Sequence, residues 1–513
     1  MNREKNQLAF KGIAAGFLNK VVTMGLPFVV RTVVIYTIGS EYLGLDSVFA
    51  SVLSILSFAE LGFSKTMVYS MYKPIADRDE AKLCALLNLY KQLYRIVGLV
   101  ILFAGLAIMP FLRYFIHGSY PADINLYILY GIFLLNTVAG YWLFAYKESL
   151  LSAHQMYYVN SNISTVMVAL TDIVQIVLLL TIKNYYAYII ILPLKTVLRN
   201  IVVAVSTKKL FPQYRAEGRV DCETARSIRK NVLAGISHRL GPAATASVDN
   251  LVVSSFSGLI LASVYSNYNY ILTSVAGCVS LVFGSYIAGI GNSIITETRE
   301  KNFEDFKFFS FLNRVLMGWS AICILCLSQP FMWLWVGQKN GMEFMYPASV
   351  VLLLVIMYYA QGVRNIVLIY KTAAGMWYAD KWKPLVTVIA NAVLDIVLFP
   401  YLGVAGIILS TIFAHAVVGI PWETGVMFRQ YFKMPQRQYY GALLRDILIT
   451  MCIGLVSYGV CRLIPDGNIS LLLLKGFVCA VVTAGLYLVI YRKNPYMKRV
   501  IKSLGKVVKL KEI

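Results

Sequence analysis

The sequence predicts an all-α, polytopic membrane protein with about 14 transmembrane helices. The chain has 513 residues, of which 58% are hydrophobic and only 14% are charged. It repeatedly runs for about 18 or more residues with almost no charge, the length that a helix needs to cross a bilayer. The first apolar run is longer than the core of a signal peptide and has no cleavage site after it, so we expect it to remain as a span.

Fourteen apolar runs of about 20 residues each predict one span. In chain order they cover 12–38, 42–64, 93–116, 124–146, 159–182, 185–205, 232–257, 263–291, 308–328, 347–369, 384–402, 404–426, 442–463 and 470–492.

Positive charge is distributed unevenly between the two ends of these spans. The chain has 47 Lys and Arg against 25 Asp and Glu. If the N-terminus is cytoplasmic, the basic residues fall in the inside loops and the tail, and the opposite side keeps only Lys183 and Lys339. This asymmetry predicts that both termini are cytoplasmic and that the number of spans is even. We therefore interpret the basic residues as topology signals and contacts with anionic membrane lipids, and expect no nucleic-acid partner.

A six-span unit is repeated in the sequence. "YKESLLSAH" begins at Tyr146 and is followed by Asp172 in "DIV", and "YKTAAGMWY" begins at Tyr370 and is followed by Asp395 in "DIV". Parallel repeats of this kind predict two six-helix bundles around a central cavity. The predicted divisions are a bundle at 1–205, a basic linker at 206–231, a second bundle at 232–428, two further spans at 429–492 and a basic tail at 493–513.

Ionisable residues occur inside many predicted spans, where a charge costs about 2.5–3.5 kcal/mol on insertion scales. We expect them to face a polar cavity, although snorkelling or structural ion pairs remain an alternative, most of all for Glu60 and Arg364 near span ends. The cations are Lys20, Arg31, Lys195, Arg199, Arg239 and Arg364, and the cavity-lining acids are Glu60 and Asp172. Lys195 and Arg199 are four residues apart on one helix face, so they predict an anion site.

A second set of polar residues predicts a cation site. Asn391 and Asp395 are also four residues apart, Thr411 follows in the next span, and Asp249 lies in the seventh span after the pair Gly241–Pro242, where we expect a bend. Hard cations take oxygen ligands from carboxylates, amides and hydroxyls. The set is suited to Na⁺ or a proton, and the pairing of these groups with one another is the alternative.

The cysteines and histidines predict no further site. The eight cysteines are scattered and lie mostly in apolar runs, so we expect no disulfide framework. We interpret Cys323 and Cys326, in "AICILCL", as buried packing residues. The four histidines share no ligand spacing, so we expect no metal centre of the zinc type and no cofactor.

The sequence resembles the polysaccharide flippase branch of the multidrug/oligosaccharidyl-lipid/polysaccharide exporter superfamily. The resemblance depends on "SVYSNYNYI", on "YKTAAGMWYADKWKPLVTVIANAVLDIVLFPYLGVAGIILSTI" and on "ETGVMFRQYF". It implies a bacterial inner-membrane protein that moves undecaprenyl-diphosphate-linked oligosaccharides across the bilayer by alternating access, without being an enzyme. Such a protein serves the synthesis of a surface polysaccharide such as O-antigen, capsule or exopolysaccharide, with a polymerase and chain-length machinery as partners.

The resemblance also implies roles for individual residues. Lipid II flippases of the same superfamily have a sodium site whose pattern is matched here by Asp249, Asn391, Asp395, the carbonyl of Ile407 and Thr411. The six cations named above would hold the substrate's diphosphate. The chain departs from the lipid II flippases in its eighth span, which has no Arg or Lys, so which cations bind the diphosphate is left open.

Two alternative functions remain at this stage. A cation-coupled multidrug exporter of the same superfamily would have the same architecture. A membrane polysaccharide polymerase or ligase would need a sizeable outer loop with catalytic groups, but the longest outer loop, near 329–346, holds only Lys339 and Glu343. The sequence does not identify the sugar, the coupling ion or the oligomeric state.

Overall fold

The computed structural model describes residues 3–57, 63–284, 287–376 and 379–509, and this part of the chain contains helices and no strand. The chain divides into two compact units, Met1–Ser266 and Asn267–Ile513. The presence of two compact units does not test whether six spans are repeated, so the repeat stays a prediction.

The first unit is built from long helices that pack side by side. In it, α1 packs on α7, α5 packs on α4 and α9, and α7 packs on α9. The helices are α1 (Arg3–Thr37), α2 (Ser40–Leu56), α3 (Phe63–Ala76), α4 (Glu80–Ile108), α5 (Leu126–Trp142), α6 (Glu148–Ala153), α7 (Tyr157–Thr181), α8 (Tyr185–Ile189), α9 (Ile191–Leu210) and α10 (Cys222–Gly284), which continues into the second unit.

The remaining helices belong to the second unit. There α12 packs on α14, α19 and α20, while α17 packs on α14 and α16. The helices are α11 (Ile287–Thr296), α12 (Arg299–Met332), α13 (Gln338–Asn340), α14 (Ala348–Gly362), α15 (Asn365–Ala373), α16 (Lys383–Leu402), α17 (Val404–Phe413), α18 (Ile420–Met427), α19 (Arg437–Arg462), α20 (Ile469–Ile490) and α21 (Pro495–Lys509).

The long helix α10 contains the seventh and eighth predicted spans. Its backbone leaves helical geometry at Gly258, where φ is 82°, a conformation that glycine adopts without the steric cost of a Cβ. The bend that the sequence predicts at Gly241–Pro242 stays a prediction.

The described residues contain 11 helices long and apolar enough to cross a membrane, or up to 12 if one bent pair counts as a span. The count of 14 is not confirmed. One of the 11 segments, Ala244–Phe283, runs across the break at Gly258. The predicted span at 42–64 corresponds in part to α2, and residues 58–62 of that span lie outside the described residues.

The helix α16 shows why the fold suits a bilayer. Its buried positions are mainly polar, among them Thr387, Asn391 and Asp395. Large apolar side chains such as Ile389 and Val393 are more than half exposed. A soluble protein would place these two faces the other way round. The arrangement is expected when the surrounding solvent is lipid and the polar groups are satisfied inside the protein.

Candidate functional site

An oxygen-rich cluster lies where α16 packs on α17. Because a helix places residues four apart on one face, Asn391 and Asp395 project together from α16. The helix α17 brings Ile407, Ser410 and Thr411 against them. All five residues are no more than 1% exposed.

Hydrogen bonds join these residues into one network. The Asn391 amide donates to Asp395 Oδ2 at 2.7 Å, and the Thr411 hydroxyl donates to Asn391 Oδ1 at 3.2 Å. The Ser410 hydroxyl contacts Asp395 Oδ1 and lies 2.8 Å from the carbonyl oxygen of Ile407, so it donates to one of them at a time. The structure thus brings together four of the five residues predicted to bind a cation, and adds Ser410.

The chemistry of this cluster suits a small hard cation or a proton. It offers carboxylate, amide, hydroxyl and carbonyl oxygens within one pocket of side chains, which are the ligands that such ions prefer. A carboxylate this deeply buried is costly to keep ionised unless a positive charge or hydrogen bonds compensate it. Ion or proton binding at Asp395 would supply the positive charge.

The fifth predicted ligand, Asp249, belongs to the first unit. Its side chain is 2% exposed and accepts a hydrogen bond of 3.3 Å from the Tyr265 hydroxyl. On the next residue, the Asn250 amide donates to the Ser51 hydroxyl at 2.8 Å. A contribution of Asp249 to the cation site stays a prediction.

The carboxylate of Asp172 lies inside the first unit on the polar face of α7. It is 4% exposed, and neighbouring inward positions on this face are Thr171 and Gln175. Asp172 is attracted electrostatically by Lys195 of α9. A half-buried cation on the adjacent helix therefore offsets part of this charge, which apolar neighbours in sequence cannot do.

The side chain of Arg199 is held by a polar network. Its Nη2 atom donates to Glu148 Oε2 and to Asn160 Oδ1, each at 2.9 Å, and its Nε atom donates to Ser164 Oγ at 3.2 Å. With Asp172 beside Lys195, the two cations each have an acidic neighbour. The prediction that Lys195 and Arg199 together bind an anion is not tested by these contacts and stays a prediction.

A denser buried ion cluster surrounds Arg364 in the second unit. Its guanidinium forms two hydrogen bonds with the Glu423 carboxylate, at 3.0 and 2.7 Å, and a third of 2.6 Å with His415 Nδ1. Lys383 also pairs with Glu423. The structural ion pair that we left open for Arg364 is thus observed, and the prediction that this residue binds diphosphate is untested.

The motif that carries the family resemblance supplies much of this cluster. Lys383 and Glu423 belong to "YADKWKP" and "ETGVMF", and the same stretch forms a second buried pair between Lys371 and Asp380. Sequence reasoning missed Glu423, Glu148 and Asp380. Their positions could have indicated a role. Glu148 lies in the repeated Tyr-Lys motif, and Asp380 and Glu423 lie in the segments on which the family resemblance depends.

The other charged residues that the sequence predicts to face the cavity have fewer recorded contacts. The Arg31 guanidinium donates to Ser266 Oγ at 2.5 Å, and it interacts electrostatically with Asp46, which accepts a hydrogen bond from Tyr185. Lys20 is half-buried on α1. Glu60 and the side chain of Arg239 lie outside the described residues.

Solved structures of membrane transporters share this fold at low sequence identity. The lipid II flippase MurJ in an inward closed conformation matches with a TM-score of 0.66 at 14% identity, over 94% of this chain and 98% of that one. The chain shares the fold of these solved transporters.

Two multidrug transporters also match. An inward-facing multidrug resistance MATE family transporter has a TM-score of 0.56 at 14% identity, over 80% of this chain and 94% of that one. A mutant of the MATE transporter VcmN from Vibrio cholerae has a TM-score of 0.59 at 12% identity, over 84% of this chain and all of that one. No family model matches the chain, and no curated protein matches its sequence.

Proposed function

We propose that the protein is a flippase that moves undecaprenyl-diphosphate-linked oligosaccharides across the bacterial inner membrane, coupled to a gradient of Na⁺ or H⁺. Alternating access would expose the substrate first to the cytoplasm and then to the outer side. The translocated oligosaccharide would be used in the synthesis of a surface polysaccharide. A polymerase and chain-length machinery would be the partner proteins. The excess of Lys and Arg in the loops on one side of the membrane supports cytoplasmic termini.

The single observation that carries the proposal is the buried oxygen cluster of α16 and α17 within this fold. Asn391, Asp395, Thr411 and the Ile407 carbonyl were matched from sequence to the sodium-site pattern of lipid II flippases, and they are neighbours in the structure. A lipid II flippase is also among the solved structures with this fold. The fold alone would fit any transporter of the superfamily, whereas the cluster supports cation coupling.

The diphosphate requires cations that can be released from their protein partners. Lys and Arg bind phosphate through charge-assisted hydrogen bonds. Arg199 and Arg364 already form hydrogen-bonded pairs with carboxylates, and a phosphate would have to compete with those. Among the six predicted cations we therefore assign Lys195 the leading role, with Lys20, Arg31 and Arg239 as further candidates.

The proposal is tested by following a lipid-linked oligosaccharide in proteoliposomes that contain the purified protein. A sugar-cleaving enzyme that cannot cross the bilayer reports how much substrate reaches the outer leaflet. We expect transfer that requires the protein. Equal transfer in protein-free vesicles and in vesicles with protein would contradict the proposal.

A cation-coupled multidrug exporter is the second candidate, favoured by the match to the MATE transporters. Its cation site would have the same chemistry, so the site does not distinguish the two. Gradient-driven efflux of an organic cation dye, without any transfer of lipid-linked sugar, would establish the exporter.

A further inference from the structure

Four of the eight cysteines meet at one place in the second unit, although they come from three helices. Cys323 and Cys326 lie on α12, Cys461 on α19 and Cys479 on α20. The sulfur atoms of Cys326, Cys461 and Cys479 all lie within 4.8 Å of one another. The sulfur of Cys323 lies 4.0 Å from that of Cys479.

Packing alone does not require this arrangement. A buried free cysteine normally behaves as a small apolar residue, which is how the sequence led us to interpret Cys323 and Cys326. Such residues need to fill space, but their sulfur atoms need not point at one another. Cys452, on the same helix as Cys461, is exposed, while Cys461 is 2% exposed and Cys479 is fully buried.

The distances fit the coordination of a metal ion by thiolates. With Zn–S bonds of about 2.3 Å, tetrahedral geometry separates sulfur atoms by about 3.8 Å and trigonal geometry by about 4.0 Å. The sulfur atoms of Cys326, Cys461 and Cys479 are already within about an ångström of that spacing, and the sulfur of Cys323 lies 4.0 Å from that of Cys479. We propose that Cys326, Cys461 and Cys479 form a site for one thiophilic metal ion, Zn²⁺ or Cu⁺, and that a shift of the Cys323 side chain completes the coordination.

The surroundings of the cluster suit thiolates. Lys475 lies one turn before Cys479 on the same face of α20, is 4% exposed, and pairs with Asp466. The Lys475 ammonium interacts electrostatically with Cys461, and a positive charge there lowers the cost of burying thiolate ligands by the part that Asp466 does not neutralise. Both thiophilic ions also neutralise part of that charge directly, and their soft character matches sulfur.

A pair of hydroxyl groups supports the ligands from behind. Thr483, one turn after Cys479, has its hydroxyl 4.0 Å from the Cys479 sulfur. It donates to the hydroxyl of Ser457 at 3.0 Å, and Ser457 lies one turn before Cys461. Contacts of this kind orient the ligands of metal sites. Cys461 is one residue from the end of α19.

The bound ion would join α12 to the last two long helices of the chain. These helices, α19 and α20, lie beyond the two predicted six-span repeats, so they depend on packing against α12 for their position. Ion binding adds its free energy to the folded state. The proposal does not depend on the transported substrate.

The test uses the full-length protein, purified in detergent, reduced, stripped of metal with a chelator and loaded with Zn²⁺ or Cu⁺ alone. Bound metal is counted after desalting against a weak chelator, for the wild type, Cys461→Ser, Cys479→Ser and the matched control Cys452→Ser. We expect one ion per chain in the wild type and the control, and at least about tenfold weaker binding in the other two variants. Added metal should raise the melting temperature of the wild type and of Cys452→Ser, and it should not raise that of Cys461→Ser or Cys479→Ser.

A second measurement covers the case in which the cluster variants do not fold. In the wild-type protein, Zn²⁺ should protect Cys326, Cys461 and Cys479 from alkylation under mild denaturation, as mapped by mass spectrometry, and should leave Cys278 and Cys452 reactive. Failure of the reduced wild type to retain either ion would overturn the proposal. So would metal binding that Cys461→Ser and Cys479→Ser leave intact in folded protein, or protection that does not map to the cluster.

Discussion

The carboxylates of Glu423 and Glu148 both pair with arginines but differ in burial, and this difference predicts their contributions to stability. The side chains of Arg364 and Glu423 are at most 6% exposed. The side chain of Arg199 is 26% exposed and that of Glu148 is 35% exposed. Removing one partner of a buried pair leaves an uncompensated charge and costs about 3–5 kcal/mol. A more exposed pair is worth about 0–1 kcal/mol.

We therefore expect Glu423→Gln to lower the free energy of unfolding far more than Glu148→Gln does. Denaturant or thermal unfolding of the purified variants in the same detergent measures both. Losses of similar size in the two variants would show that the buried cluster around Arg364 is not a structural unit.

The carboxylate of Asp172 should matter less for transport than that of Asp395. Both lie on the polar faces of their helices, but the residue four positions before Asp172 is Val168, whereas Asp395 is preceded by Asn391. Asp172 interacts electrostatically with Lys195, whereas Asp395 is part of the oxygen cluster. We expect Asp172→Asn to keep most of its transport of lipid-linked sugar, measured beside Asp395→Asn, and complete inactivation of both would contradict this asymmetry.

At the scale of the element, the contact between α2 and α10 depends on a glycine. A Cβ at Gly44 would lie 2.3 Å from the carbonyl oxygen of Leu259, whereas a Cβ at Gly25 on α1 would meet no atom within 4 Å. Overpacking of this kind costs about 1–3 kcal/mol. We expect Gly44→Ala to lower the melting temperature and Gly25→Ala to leave it unchanged or raise it slightly, and equal effects would show that α2 can move away from α10 freely.

Much of the helical architecture was predictable from sequence because long apolar runs and helical spacing are local signals. The shared face of Asn391 and Asp395 follows from their spacing alone. Ser410 was missed because its approach to Asp395 depends on how α17 packs on α16. The cysteine cluster could not be predicted for the same reason, since its sulfur atoms come together only through the packing of α12 on α19 and α20.

The assignment of charges shows a similar limit. Sequence reasoning identified Lys195 and Arg199 as neighbouring cations but did not predict that Glu148 reaches Arg199 across the helix packing. Likewise it located Arg364 near a span end without the partner Glu423. Partners on other helices decide whether a buried cation is available to a substrate, and the sequence pattern does not contain that information.

At the scale of the whole molecule, the fold resembles that of solved structures of a lipid II flippase and a multidrug transporter, and about one residue in seven is identical. A transporter of this class needs polar residues inside, apolar residues towards lipid and a site whose occupancy changes its conformational equilibrium. An ion shifts such an equilibrium only if it binds the two states with different affinity. The buried cluster around Asp395 is our candidate for that site.

The most direct test of cation-coupled flipping compares wild type, Asp395→Asn and the exposed-site control Asp77→Asn in proteoliposomes, with and without a Na⁺ or H⁺ gradient. We predict that a gradient accelerates transfer of lipid-linked sugar about tenfold in the wild type and the control, the effect of a coupling free energy of about 1.4 kcal/mol. Asp395→Asn should show no acceleration. Equal gradient dependence in all three proteins would contradict the account.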